Sequence, residues 1–319
     1  MLRFLARRLA LLLLTTAVAA TLVFFAVQVL PGDIGRTVLG PFAGQEAVAA
    51  LNRQLGTDRP LPLRYLSWIA GVATGDWGRS FAFEVPVLPL VWERLQRSLI
   101  LAVAALATVL PLAVLAALAA GRRAGGWLDR GLGLGALALG ATPEFVTGVV
   151  LLLVFAVWLD WLPVQALAPE GAGALERLRH LALPVLCLSL LLFSYFFRMT
   201  RANVLKALGS DYVRTAVLKG LAERTVLWRH VLPNAVVPTI AVAGGQFGWL
   251  VGGLVVVETL FRYPGIGSLA HGAALNKDVP LLAGCALAIT AVFALGNIAA
   301  DLAAALLDPR LREAASDAG

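Results

Sequence analysis

Apolar residues gather into six long runs along this chain, separated by polar or basic clusters. The runs cover Leu9–Leu30, Ser98–Ala120, Leu137–Leu159, Leu181–Met199, Ala235–Val257 and Leu281–Leu307. A helix needs about 20 predominantly apolar residues to cross a bilayer. The pattern therefore predicts an all-α polytopic membrane protein of six transmembrane helices. Pro111, Pro143, Pro184 and Pro238 lie in or near the runs, and membrane helices tolerate proline where neighbouring groups satisfy the freed carbonyls. The first run follows Arg3, Arg7 and Arg8 as a signal peptide would. Its 22 residues exceed the roughly 7–15 of a signal h-region, so it reads as an uncleaved span.

Between the first two runs, residues 31–97 are too long for a connector and too short for a secure separate domain. Prolines and glycines (Pro60, Pro62, Gly75, Gly78) alternate there with aromatics (Tyr65, Trp68, Trp77, Phe81). That mixture predicts short helices at the outer interface, where Trp and Tyr rings are at home. They form a folded cap over the spans or a surface that receives another protein. The division expected is 1–97, a first span with its extracytoplasmic segment, and 98–319, a five-helix core carrying a loop at 203–233.

Composition agrees with a lipid-embedded chain. Of the 319 residues, 60% are apolar and 14% charged, against about 45–50% and 25% in soluble domains. The net charge of +7 does not imply nucleic acid, because the basic residues stand at the ends of apolar runs. One side carries 15 lysines and arginines, mostly in short loops and termini; the other carries 11, seven of them in the long 31–97 segment. Short loops decide orientation, so both termini and the loop before the fifth run are expected in the cytoplasm. Cys187 and Cys285 lie inside apolar runs and read as small buried hydrophobes. His180, His230 and His271 form no metal-binding pattern.

That loop, DYVRTAVLKGLAERTVLWRHVLP (Asp211–Pro233), is longer than a connection requires. Asp211 suits an N-cap. Tyr212 with Ala216, and Val213 with Val217, are pairs at i and i+4 that predict one apolar stripe. Arg214 and Lys219 are left for the polar side. Gly220 permits a sharp change of direction, and Ala222–Val231 predicts a second short helix that Pro233 ends. Two fates suit the stripe: the groove of another protein, or packing beneath this chain's own spans.

The loop resembles the cytoplasmic coupling loop of bacterial ABC importer permeases, in the form used by the dipeptide, oligopeptide and nickel subfamily. The family's EAA positions fall on Arg214, Thr215 and Ala216, its glycine on Gly220, and its Leu-Pro on Leu232 and Pro233. Arg214 and Thr215 depart from Glu-Ala, and His230 from isoleucine, as in the peptide-transporting branch. The resemblance extends along the chain. Val29–Asp33 (VLPGD), Thr74–Phe81 (TGDWGRSF) and the tail Leu306–Arg312 (LLDPRLR) are similar to segments of this subfamily. So is Val257–Leu269, where Glu258, Phe261, Pro264, Gly265 and Gly267 fill an E-x-x-F-x-x-P-G-x-G pattern.

The resemblance implies a type I importer permease that pairs with a second, related but different permease chain. Two cytoplasmic ATPase subunits would dock on the coupling helices, and an extracytoplasmic binding protein would deliver cargo. Asp211 to Gly220, with Leu232 and Pro233, would carry the coupling. ATP and magnesium would belong to the partners. Each lysine follows Leu205, Leu218 or Asn276, so the Gly-Lys of a phosphate-binding loop is missing. Di- or oligopeptides are the expected cargo, with nickel chelates or glutathione-type compounds as alternatives.

Gly244, Gly248 and Gly252 repeat every four residues in the fifth run and predict close helix packing or a translocation path. The acids Glu144, Asp160, Glu258 and Asp301 read as interface or helix-end groups. Their scatter offers no relay for a proton-driven carrier, the rival class. No serine, aspartate or HExxH arrangement suggests an intramembrane protease.

Overall fold

A computed structural model describes residues 2–29, 34–40 and 42–307, with side chains described for 10–26, 35, 36, 39, 40 and 42–300. The VLPGD residues 30–33, the tail from Asp308 onward, and the side chains of Arg3, Arg7, Arg8 and Asp301 lie outside these. Helices come in this order: α1 (Leu2–Val29), α2 (Ile34–Leu39), α3 (Gln45–Leu55), α4 (Leu61–Thr74), α5 (Val87–Arg122), α6 (Trp127–Ala141) and α7 (Glu144–Leu151). They continue with α8 (Ala174–Leu208), α9 (Asp211–Leu218), α10 (Glu223–Thr225), α11 (Leu232–Gly253), α12 (Val255–Leu260), α13 (Ile266–Leu275) and α14 (Val279–Leu307). Among the described residues the only β-type pairing is an isolated bridge between Arg79 and Pro86.

Among the described residues, four helices are long and apolar enough to cross a membrane: α5, α8, the run Glu223–Gly253, and α14 over Val279–Ala300. In α1 the described apolar stretch is Ala10–Ala26. The third expected span, Leu137–Leu159, is not one straight helix. α6 stops at Ala141, and Glu144–Trp158 leaves it at 105°, its second half wound as a π-helix over Leu152–Trp158. Pro143 is the physical reason. A residue preceding proline is pushed out of the helical region, and Thr142 sits at φ −84°, ψ 127°.

Two further boundaries shift. The helix that carries the second span begins at Val87, ahead of Ser98, so the 97/98 division falls inside α5. The polar turn Glu93–Arg97 masked this extension, although it is tied by an i,i+4 pair between Glu93 and Arg97 at 2.7 Å. Pro233 does not end a helix before the fifth span. Residues Val226–Val231 form a π-helical turn that runs straight into α11, with Pro233 in its first turn. Proline brings no N–H to that position and is accepted there.

α5 packs along α8, α11 along α14, and α1 and α6 flank them on α14 and α8. Phe196, Phe197, Leu101, Leu250, Leu254 and Leu281 are fully buried between these helices. A buried Thr200–Thr239 hydrogen bond of 2.9 Å ties α8 to α11, the kind of polar contact that holds helices together in lipid. Large apolar side chains such as Leu112, Leu115 and Leu134 face outward, as a surrounding hydrocarbon solvent requires.

One end of this bundle gathers the C-termini of α5 and α8 with α9. The opposite end gathers α3, α4 and the turn at 75–86. Asp278, fully buried, caps α14 through the Leu281 amide at 3.2 Å. Its other oxygen accepts hydrogen bonds from the Ser80 hydroxyl at 2.5 Å and the Ala82 amide at 3.0 Å. This explains the TGDWGRSF segment. Gly75 closes α4 at φ +86°, Gly78 turns at φ +82°, and Ser80 reaches Asp278. Asp278→Ala is expected to cost about 2 kcal/mol, because a cap, a buried hydroxyl and a loop amide lose their acceptor together. Limited proteolysis at 75–86, faster in the variant than in the parent, is the measurement; equal cleavage rates would contradict the pinning role.

Candidate functional site

The loop singled out by sequence forms a small folded unit at the α9 end. Ser210 rather than Asp211 holds the N-cap position, and Asp211 opens the first turn of α9, where a negative charge suits the helix dipole. Val213 and Ala216 are buried, packed with Leu118 of α5, Val204 and Ala207 of α8, and Val226, Leu227, Val231 and Ala235. The predicted single stripe therefore divides. Its Val213 and Ala216 half anchors α9 to three spans, while Tyr212 and Val217 stay exposed.

α9 ends where Gly220 adopts φ +75°, a left-handed value disfavoured for any residue with a β-carbon. The Gly220 and Leu221 amides then close onto the carbonyls of Val217 and Ala216, at 2.9 and 3.3 Å. Among the described residues no atom beyond its chain neighbours lies within 4 Å of where a Gly220 side chain would start, so its requirement is one of backbone conformation, not of space. Beyond the turn, Glu223 receives both arms of Arg122 at 2.6 and 3.0 Å, fastening the return segment to the end of α5. What remains exposed is a compact surface of Tyr212, Val217, Leu218 and Leu221, bordered by Arg214, Thr215 and Lys219. Leu218 is 79% exposed, so this apolar surface has no cover among the described residues. Leu232 and Pro233 lie at the start of α11, beneath the unit.

The second motif folds into a corner at the other end. Glu258, on α12, is fully buried and turns its carboxylate onto the N-terminus of α13. Its Oε2 accepts the Ser268 amide at 2.7 Å, and its Oε1 accepts the Ser98 hydroxyl at 2.5 Å. The Ser98 oxygen in turn accepts the Ile266 amide at 2.8 Å. Burial pushes the Glu258 carboxyl upward, opposed by hydrogen bonds from Ser98 and the Ser268 and Gly267 amides. Gly265 allows the approach: a β-carbon there would stand 2.0 Å from Glu258 Oε1. At Gly267 it would stand 2.9 Å from the Val255 nitrogen. Phe261 is fully buried, and Pro264 leads into α13. Tyr263 donates to the Arg97 carbonyl at 2.9 Å, its hydroxyl pushed up to about 12 by burial and by Glu258.

Gly244, Gly248 and Gly252 all face α14 of the same chain. A β-carbon on the first would meet Ala300 at 2.6 Å, on the second Phe293 at 2.7 Å, and on the third Ile289 at 3.3 Å. The geometry is that of helix packing. Sequence reasoning missed Asp278, although an aspartate two residues before a proline at a helix start is a capping signal. It also missed Ser98 and the pair of Arg201 with Asp129, at 2.5 and 2.7 Å between α8 and α6. Those pairings join residues far apart in sequence and left no local signal.

Residues 95–313 match the family described as binding-protein-dependent transport system inner membrane component, and residues 1–112 match the N-terminal region of such membrane components. The chain is 35% identical to a protein of Sinorhizobium fredii named a probable peptide ABC transporter permease, over 97% of this chain and 99% of that one. It is 34% identical to the glutathione transport system permease protein of Salmonella choleraesuis, over 98% and 99%. Matches of this length leave no part of the bundle unaccounted for. The chain belongs to the family of binding-protein-dependent transport system inner membrane components, the multi-pass, non-enzymatic permease subunits of ABC transporters.

Proposed function

We propose that this chain forms one half of the translocation path of an importer for di- or oligopeptides and couples that path to ATP hydrolysis on partner subunits. The carrying observation is the α9 unit. An exposed apolar surface of Tyr212, Val217, Leu218 and Leu221 is held rigidly, through Val213 and Ala216, on α5, α8 and α11. A push on that surface moves three spans together. Two ATPase subunits, holding ATP and magnesium, dock there and on the equivalent surface of a second, related permease. The α9 end and both termini face the cytoplasm, in keeping with the basic short loops on that side. The extracytoplasmic binding protein meets the opposite end. Peptide cargo is favoured by the names of the relatives, and glutathione, itself a modified tripeptide, is the second reading.

The test begins with mild-detergent capture of the tagged chain from its native membrane. Two ATPases and a second permease are the expected companions. The complex, reconstituted with its binding protein, is then given labelled dipeptides, longer peptides and glutathione. Uptake that requires ATP and survives a protonophore is expected. Uptake that collapses with the proton gradient and ignores ATP would replace this reading with a proton-driven carrier.

A further inference from the structure

Midway along the bundle, α6, α8 and α11 border an open cavity of about 370 Å³ whose walls are mostly apolar, with a few polar groups set into them. Arg198 and Tyr195 enter it from α8, Gln246 and Trp249 from α11, and Gly140 closes it on α6. We propose that this cavity is an anion-receiving station on the translocation path, where Arg198 takes the carboxylate of a passing peptide. The proposal rests on the peptide-importer reading and names a contact within it.

Three observations carry it. The first is the direction of Arg198. It stands at the inner end of the apolar stretch of α8, where a lipid-facing arginine would snorkel toward the cytoplasmic interface. Instead it turns back. Its Nε donates to the Ser194 carbonyl one turn nearer the membrane centre, at 3.0 Å. Its terminal nitrogen lies 4.0 Å from the β-carbon position of Gly140. At 1.5 Å per residue, Gly140 is about 20 Å along α6 from its start at Trp127. A guanidinium held there against hydrocarbon would cost about 3 kcal/mol even on insertion scales, so it faces water or a partner group.

The second observation is that the charge is uncommitted. Arg201, one turn on, is neutralised by Asp129, whereas no carboxylate of a described residue pairs with Arg198. The third is a set of polar groups without partners. Ser194, 2% exposed, has a hydroxyl with no hydrogen-bond partner, and the Gln246 amide makes none with the described residues. Buried polar groups in native proteins are normally satisfied. Here only the Ser194 hydroxyl is buried; the exposed Arg198 guanidinium and the half-buried Gln246 amide line the cavity beside it, with two exposed aromatic rings, Tyr195 and Trp249. A peptide carboxylate with its adjoining amide supplies an acceptor for the guanidinium and both partners for the Gln246 amide.

The test uses the complete complex, with the buried Cys187 and Cys285 replaced by alanine. Single cysteines are placed at Tyr195 or Gln246, and at the outward-facing Leu115 as a reference. An anionic and a cationic water-soluble methanethiosulfonate are the probes. Both cavity cysteines are expected to react while the reference does not. The anionic-to-cationic rate ratio is expected to fall about tenfold with Arg198→Gln, a local-potential effect, and to survive Arg198→Lys. Arg198→Gln also lowers ATP-driven peptide uptake about tenfold or more, as for a lost charge-assisted hydrogen bond, and leaves ATP hydrolysis stimulated by the binding protein. Unreactive cavity cysteines, or a rate ratio indifferent to Arg198→Gln, overturn the proposal. Loss of the second permease from the Arg198→Gln complex also overturns it, in favour of an ion pair between subunits. Should the parent complex import no peptide, the peptide reading fails by itself, and the rate ratio still decides whether the cavity receives anions.

Discussion

Gly220→Val abolishes ATP-driven uptake while the chain still inserts and assembles its spans. Valine at φ +75° is strained by roughly 1–2 kcal/mol or more, because its β-branched side chain meets its own backbone in the left-handed region. The strain is relieved by unwinding the turn after α9, and none of the other described residues contacts that point. The consequence is local: Leu218 and Leu221 lose their fixed relation to the anchors Val213 and Ala216. Gly220→Asn, which tolerates the left-handed region, retains uptake. Arg214→Glu, which reverses a charge at the border of the same surface, also abolishes it. Parallel assays of uptake and of ATPase recovery separate the outcomes. Uptake preserved in both Gly220→Val and Arg214→Glu would remove α9 from the coupling role.

Gly265→Ala is the substitution with the largest expected effect on stability, about 3 kcal/mol, through overpacking and a broken carboxylate network. The new methyl would coincide with the Glu258 carboxylate, 2.0 Å from Oε1, and with the Ser98 hydroxyl at 2.5 Å. Glu258 must leave the N-terminus of α13, and the amides of Ser268 and Ile266 lose their present network. The sign of a double-mutant cycle makes the cause visible. In a Glu258→Ala background the carboxylate is gone and only the Ser98 hydroxyl stands opposite residue 265, so Gly265→Ala costs less there than in the parent. Denaturation of the detergent-solubilised chain measures all four corners. Equal penalties in both backgrounds would show that the carboxylate is not what the glycine accommodates.

How much of this was legible beforehand varied with the range of the interaction. The helical spans followed from apolar runs, because hydrocarbon offers the backbone no hydrogen bonds other than its own. Gly220 followed from a local conformational demand. The bend at Thr142–Pro143 was available in principle from the residue-before-proline rule, but the apolar run across it argued for one continuous span. Pro233 misled in the opposite sense. It looks like a terminator, yet the π-turn before it carries the helix through into α11.

The amino-acid sequence by itself determined the membrane class, the all-α architecture and the position of the loop that forms α9, since each depends on periodicity or composition within one segment. Only the tertiary structure decided that Val213 and Ala216 turn inward while Leu218 turns out, and that Gly265 exists to admit Glu258. It likewise decided that Gly244, Gly248 and Gly252 seat α14, and that among the described residues Arg201 has a carboxylate partner while Arg198 has none. Each of these depends on which helix lies opposite, and contact between residues more than 100 positions apart, as for Ser98 with Glu258, leaves no trace in local pattern.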